Sequence, residues 1–456
     1  MTQDRPASRQ ALLIATVAGL TIYAAGVGLA GFYAVGLVAR LAGLLALLWA
    51  TAKRRTLTAW TFFAILAGAE VGADAPAIAV HLHVLAEIFL RLVRVIVAPL
   101  ILGTLTTGIA AHGQVKSLGR IALKTLVYFE VVTTLALVLG VVAIDLSRAG
   151  EGVVVPAALQ AQQAPVTASA HEGLEGFLLN VFPENLVTAI GENQILQVAV
   201  FAILLGISLA LLTEEKRAPL LRVLESLTAA MFQLTKIIMY MAPLAAGAAL
   251  AYTVGSMGIG TLLPLAKLVA TFYCAALALA LLVFVPVLLL MRIPVLGFLK
   301  AVSEPAAIGF ATSTSQSALP LAMERMEEFG VPRWIVSFVI PSGYSFNMDG
   351  ASLYLSIASI FAAQVAGIHL TIAQQAVMVF TLMLTSKGIA GVPRATLMIL
   401  LATASQFRLP TAPILMILGV DALIDMGRTV LNVTGNCVAA AVVWKWEAAK
   451  GEESAK

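Results

Sequence analysis

"YSFNMDGAS", residues 344–352, decides how the chain is read. It places a carboxylate, Asp349, and a carboxamide, Asn347, between Gly343 and Gly350, inside the otherwise apolar "WIVSFVIPSGYSFNMDGASLYLSIASIFAAQ". A charge at membrane depth is costly, so one that persists there marks a binding site, a relay or a paired polar centre. Working outward, apolar runs recur from residue 11 to residue 445; 60% of the residues are hydrophobic and 11% charged. Those proportions exclude an ordinary soluble domain and predict an all-α polytopic membrane protein. A crossing helix needs about 20 apolar residues, which allows roughly eight to ten crossings plus half-length pieces. The alternation of a β-barrel is absent. A net charge of +4 points to no nucleic-acid partner. Cys274 and Cys437 lie far apart in apolar runs and imply neither a disulfide framework nor a metal site. The first run continues through "YAAGVGLAG" without a cleavage site and reads as a retained span.

Basic residues cluster on alternate connections: Lys53, Arg54 and Arg55; Lys116, Arg120 and Lys124; Lys216, Arg217 and Arg222; Arg292 and Lys300; Arg325 and Arg333; Lys445 and Lys450. The positive-inside rule assigns these connections to the cytoplasmic side. The long connection 148–184 carries one arginine and reads as an extracellular loop.

The last third changes character. "ATSTSQSALP" (311–320) and "TSKGIAGVP" (385–393) interrupt apolar runs with Ser, Thr, Gly and Pro. Each fits the tip of a re-entrant hairpin, because broken backbone at membrane depth is tolerated where it is buried in protein or lines a wet cavity. Free N–H groups at such helix ends attract anions. Two ordinary helices with small-residue packing faces are the competing reading. Further on, "LGVDALIDMGRTVLNVTGN" (418–436) sets Asp421, Asp425, Arg428, Thr429, Asn432 and Asn436 at spacings of three or four, so most share one helix face. Arg428 offers a planar fork suited to a carboxylate, Asp425 an acceptor suited to an ammonium, and Thr429 and Asn432 neutral hydrogen bonds. Together these groups describe an acidic amino acid; an internal Asp425–Arg428 pair that ties helices together is the alternative.

These four motifs, in this order and at about this spacing, resemble the dicarboxylate/amino acid:cation symporter family, the glutamate transporters, from about residue 57 to 446. The resemblance implies a homotrimer whose subunits have eight transmembrane helices and two re-entrant hairpins, with a transport domain that moves as an elevator against a scaffold. Scaffold helices one and two fall at 57–117 and four and five at 185–256. The third helix is expected at 118–147, and the transport domain continues through 257–446: helix six (261–292), hairpin one (295–325), helix seven (334–361), hairpin two (372–405) and helix eight (412–446). Residues 1–56 form an N-terminal extension of one or two extra membrane segments, with Arg40 favouring two, and 447–456 a cytoplasmic tail. By matching motif positions, Ser315 and Val392 offer backbone groups to substrate, Ala351 lines the pocket, Asn432 holds the α-carboxylate, Asp425 with Thr429 takes the amino group, and Arg428 takes the side-chain carboxylate. Gly388, Gly391, Pro393 and Arg394 belong to the outer gate.

The departures concern coupling. Sodium-coupled members resemble one another in having an aspartate where this chain has Asn436, and hydroxyls where it has Val132 and Phe129. Losing a charge and hydroxyl oxygens weakens a site for a hard cation. Glu130 stands nearby instead, and burial favours the neutral form of a carboxyl, so it suits proton exchange, as in the proton-coupled bacterial branch. Asn347, Asp349, Asn436 and Glu130 are therefore the coupling set, with the proton as coupling ion, sodium as the alternative, and no cofactor or metal. Ala351 lacks the family's usual hydroxyl, and Ser313 and Met426 stand where many members keep an arginine. A sodium-coupled or C4-dicarboxylate symporter is the runner-up. An anion channel and a serine hydrolase are the readings from other classes, and the hydrolase lacks a basic partner for Ser313, Ser315 or Ser317.

Overall fold

The computed structural model describes residues 6–28, 33–54, 56–111, 116–153, 182–192, 194–386, 395–407 and 409–453. Among the described residues there is no strand. The helices are, in order, α1 (Pro6–Gly28), α2 (Tyr33–Arg54), α3 (Leu57–Asp74), the one-turn α4 (Pro76–Ala79), α5 (His83–Ala111), α6 (Lys116–Ser147), α7 (Leu186–Gly191), α8 (Ile195–Leu211), α9 (Glu214–Met239) and α10 (Ala242–Met257). They continue with α11 (Leu262–Leu279), α12 (Val285–Leu290), α13 (Val295–Thr312), α14 (Ser315–Glu328), α15 (Arg333–Phe346), α16 (Asp349–Val365), α17 (Ile372–Thr385), α18 (Ala395–Gln406) and α19 (Thr411–Glu453). Among the described residues, six spans are long and apolar enough to cross a membrane, seven if a bent helix pair counts as one. The chain is thus an all-helical, polytopic membrane protein.

Two compact units emerge. The first comprises residues 1–89, 240–261 and 418–422. In it the extension forms two helices, α1 and α2, whose backbones meet at glycines: a Cβ on Gly19 would lie 2.9 Å from Leu47 Cγ, and one on Gly43 2.7 Å from the Tyr23 nitrogen. α3 starts at Thr56, whose hydroxyl accepts from the Ala59 N–H at 3.3 Å, a standard way to satisfy a free first-turn donor. It packs on α10 so closely that a Cβ on Gly68 would sit 2.1 Å from the Gly247 carbonyl oxygen. Small residues serve this purpose between membrane helices, where dispersion at short range replaces the hydrophobic drive. A polar clamp also ties α1 and α2 to α3: Arg40 reaches Glu70 at 2.6 Å and Asp74 at 2.9 Å, and the Tyr23 hydroxyl donates to Glu70 at 3.1 Å.

The second unit holds the remainder of the chain. α16 is its centre: of its 17 residues only Gln364 escapes full burial, so it is enclosed by protein on all sides. α6 lies against it, since a Cβ on Gly140 would meet Ser356 Oγ at 2.1 Å. Around it stand α11, α17 and α18. α13 and α14 pack together across Ser313, which takes a left-handed φ of 52° and stops the first helix. The first interrupted motif thus falls on a real break. The second motif falls mostly on residues 387–394, which lie outside the described residues. Most of the long connection, 154–181, does too.

Over 334–361, where the resemblance expects helix seven, the structure has α15 and α16 separated at Asn347 and Met348, whose ψ angles of 73° and 64° leave the helical region. The break frees N–H groups at the start of α16, deep in the protein. Likewise the sixth-helix segment passes through a π-helical turn, Ala280–Phe284, between α11 and α12. Such turns recur at functional sites.

Candidate functional site

α19 builds one wall. Asp425, Arg428, Thr429, Asn432 and Asn436 follow the helical repeat, and all are buried. Arg428 and Asp425 form an ion pair one turn apart, nearly sealed from solvent. The Thr429 hydroxyl donates to the Asp425 carbonyl at 2.8 Å, which ties its side chain to the same turn. The Arg428 guanidinium carbon lies 5.0 Å from the centre of the Tyr354 ring, within cation–π range. Tyr354 is in turn held edge-on by Phe272, with ring centres 6.3 Å apart. On the same side, the Tyr273 hydroxyl donates to the Leu423 carbonyl at 2.7 Å.

The broken helix supplies the second wall. Asn432 Oδ1 accepts from the N–H groups of Gly350 at 2.9 Å and Ala351 at 3.3 Å, the free donors at the start of α16. Asn347 lies fully buried in the break and donates through Nδ2 to Asp349 at 3.2 Å and to Asn436 at 3.1 Å. Glycines permit this approach. A Cβ on Gly343 would fall 2.1 Å from Asn436 Oδ1, one on Gly435 2.0 Å from Asp349 Oδ2, and one on Gly350 2.2 Å from the Arg428 carbonyl oxygen. Asn347 Oδ1, Asn436 Nδ2, Ser352 Oγ and the Tyr344 hydroxyl are buried without a hydrogen-bond partner among the described residues. Leaving such groups unmade costs roughly 1–3 kcal/mol each, so their persistence in one region calls for a ligand, water or proton.

The α13–α14 turn comes to the same place. A Cβ on Gly309 would touch Thr429 Cγ2 at 3.1 Å, which sets the end of α13 beside the polar face of α19. Ser315, the first residue of α14, is buried. The structure therefore brings together Asn347, Asp349, Ala351, Asp425, Arg428, Thr429, Asn432 and Asn436, with the Ser315 turn alongside. It does not gather Glu130 into this buried set: Glu130 is half-buried on α6, while its neighbours Phe129, Val132 and Thr133 are buried. Val392, Gly388, Gly391, Pro393 and Arg394 lie outside the described residues. No group of three potential metal ligands occurs among the described residues.

Sequence reasoning missed Tyr354, Tyr273 and Gly435. Tyr354 had a signal, a hydroxyl-bearing ring inside the aliphatic "ASLYLSIAS", one turn beyond Gly350. Gly435 had none, because its role appears only when Asp349 is placed against it.

The arrangement offers a fixed cation, a fixed anion and oriented neutral donors and acceptors in a dry interior. These are groups whose chemistry suits a small zwitterion with an additional carboxylate.

Comparison with known proteins identifies the family. The profile of the sodium:dicarboxylate symporter family matches residues 57–446. The chain is 41% identical over 368 residues to a proton/glutamate-aspartate symporter of Escherichia coli (strain K12), covering 79% of this chain and 84% of that protein. It is 36% identical over 406 residues to a proton/sodium-glutamate symport protein of Bacillus caldotenax, covering 87% and 96%. A C4-dicarboxylate transport protein of Anaeromyxobacter sp. (strain K) is 39% identical over 398 residues, covering 86% and 90%. With its length aligned to that extent, the chain belongs to the sodium:dicarboxylate symporter family and is a transporter rather than an enzyme.

Proposed function

We propose that the chain is a secondary active symporter that imports glutamate or aspartate together with protons. The observation that carries the substrate class is the buried Asp425–Arg428 pair. Each partner neutralises the other while the site is empty, and a buried charge that loses its partner costs about 3–5 kcal/mol. A substrate that separates them must therefore replace both, with an ammonium for Asp425 and a side-chain carboxylate for Arg428. Glutamate and aspartate carry both groups. Succinate and other C4-dicarboxylates lack the ammonium, and neutral amino acids lack the second carboxylate. Thr429 and Asn432 complete the set, with Asn432 presented to the α-carboxylate and backbone groups of Ser315 and Val392 closing over it.

Proton coupling follows from the amide at Asn436. It meets Asn347 as a neutral partner, and the apolar Phe129 and Val132 add no oxygen, so a sodium ion is offered few hard ligands. Asp349 and Glu130 remain as the carboxyls able to carry a proton. Sodium coupling is the second reading, favoured by the acceptor oxygens of Asn347 and Asp349 and by relatives named for both ions.

In this reading the chain works as a homotrimer in the inner (plasma) membrane with cytoplasmic termini. Residues 57–117 and 185–256 form the scaffold, and 118–147 with 257–446 form the domain that moves as an elevator. α13–α14 and α17–α18 are re-entrant hairpins, and Gly388, Gly391, Pro393 and Arg394 shape the outer gate. Uptake by proteoliposomes tests the class and the substrate together. Labelled glutamate should accumulate above its external concentration, unlabelled aspartate should compete, and succinate and alanine should not. Equilibration without accumulation would indicate a channel, and competition by succinate as strong as by aspartate would assign a dicarboxylate carrier.

A further inference from the structure

The N-terminal hairpin precedes the segment matched by the family profile, and its packing against α3 is uneven. At one end the Arg40–Glu70–Asp74–Tyr23 clamp draws α1, α2 and α3 together. At the other end, towards the α2–α3 turn, the three helices part around a cleft of about 280 Å³. Its walls are apolar, from Leu20, Leu47, Phe63 and Leu66, and Thr51 and Arg54 stand at its polar end. That volume is near the low end for small-molecule sites, roughly 300 Å³.

The surroundings say what kind of molecule fits. α2 is long and apolar enough to span a bilayer and ends in Lys53 and Arg54, both exposed. Trp49 is exposed one turn before them, and Trp60 is half-buried at the start of α3. Tryptophans beside lysine and arginine mark the headgroup level of a bilayer. From Arg54 back to Arg40 is 14 residues, or about 21 Å of helix. A slot open at headgroup level and closed by a clamp about 21 Å along α2 leaves room for the depth of one leaflet's hydrocarbon, about 15 Å. Its charge completes the match, because an apolar slot with Arg54 at its polar end, and the exposed Lys53 next to it in the chain, complements an acyl chain that ends in an anion.

We propose that the α1–α2–α3 cleft is a binding site for one anionic phospholipid, with an acyl chain between Leu20, Leu47, Phe63 and Leu66 and the phosphate against Lys53 and Arg54. The lipid fills the space the clamp leaves open and makes the extension part of the membrane-facing wall of this unit.

The test uses full-length protein in nanodiscs that contain phosphatidylglycerol or phosphatidylcholine with a photoreactive group on the acyl chain. Peptide mapping should find phosphatidylglycerol cross-linked to α1–α3 about tenfold or more over phosphatidylcholine. Lys53→Gln with Arg54→Gln, two exposed positions that leave folding intact, should erase that preference. Ala59→Phe, which fills the cleft from α3, should remove cross-linking of both lipids there while glutamate binding persists. Free glycerol phosphate should not compete, since it lacks the chain. Equal labelling by the two lipids in the wild type, a preference that survives the double substitution, labelling unchanged by Ala59→Phe, or competition by glycerol phosphate would each overturn the proposal.

Discussion

Two polar clusters in this chain, one partly exposed and one buried, are built on opposite rules. In the first unit, Arg40, Glu70, Asp74 and Tyr23 join helices through three direct contacts between opposite charges and a phenol, all at 2.6–3.1 Å. In the second unit, Asn347 divides one amide group between Asp349 and Asn436, while its own oxygen and the Asn436 nitrogen find no partner among the described residues. A saturated network rigidifies; an unsaturated one in a dry interior is costly unless something else completes it. The difference separates a clamp from a site, and it can be broken by mutation on either side.

The largest effect should come from Arg428→Cys. Removing the guanidinium leaves Asp425 buried without its ion-pair partner and removes the fork for the side-chain carboxylate. A cost of about 3–5 kcal/mol corresponds to a loss of binding of at least roughly a hundredfold. Calorimetric titration with aspartate should show no saturable binding, and small neutral amino acids become the substrates to try; unchanged acidic amino-acid uptake would refute the assignment. Next in size is Gly435→Ala. A Cβ there falls 2.0 Å from the Asp349 carboxylate, and overpacking of this kind costs about 1–3 kcal/mol. Substrate affinity and thermal stability should both drop, and wild-type behaviour would mean that α19 and the start of α16 are not in close contact.

A smaller loss is expected from Tyr354→Leu, which removes the ring beneath Arg428. Cation–π contacts contribute about 0.5–2 kcal/mol, so affinity for aspartate should fall by roughly threefold to thirtyfold, while Tyr354→Phe should retain most of it. Equal losses in the two variants would indicate that the hydroxyl matters and the ring does not. Arg40→Ala sharpens the contrast from the other side. It should lower the melting temperature, because Glu70 and Asp74 lose their cation, yet leave the KM for glutamate unchanged. A change in KM without a change in stability would make that cluster part of the transport machinery.

The fold was legible in proportion to how far it rests on periodicity and composition. Long apolar runs announced the spanning helices, and "ATSTSQSALP" announced the break that the structure places at Ser313. The i, i+3 and i+4 spacing of Asp425, Arg428, Thr429, Asn432 and Asn436 announced one buried face, because one helix carries them all. The interruption at Asn347 and Met348 was not read, since both residues fit a helix and only the tertiary link from Gly350 and Ala351 to Asn432 rewards leaving it. Glu130 shows the same limit in reverse. Its type suggested a coupling carboxyl, but type does not reveal that it sits half-buried beside the fully buried Phe129. Contacts between segments far apart in the chain, such as Asp349 against Gly435, have no local signature.

Transport in sodium-free proteoliposomes under an imposed pH gradient tests the central claim most directly. With the outside more acidic than the lumen, labelled glutamate should accumulate, collapse of the gradient by a protonophore should abolish accumulation, and adding an inward sodium gradient should change little. Glu130→Gln should lose this net uptake yet keep exchange of internal for external glutamate, because exchange need not release the proton. Strict dependence on sodium, with Glu130→Gln indistinguishable from wild type, would contradict proton coupling and return the ion to the Asn347–Asp349 centre.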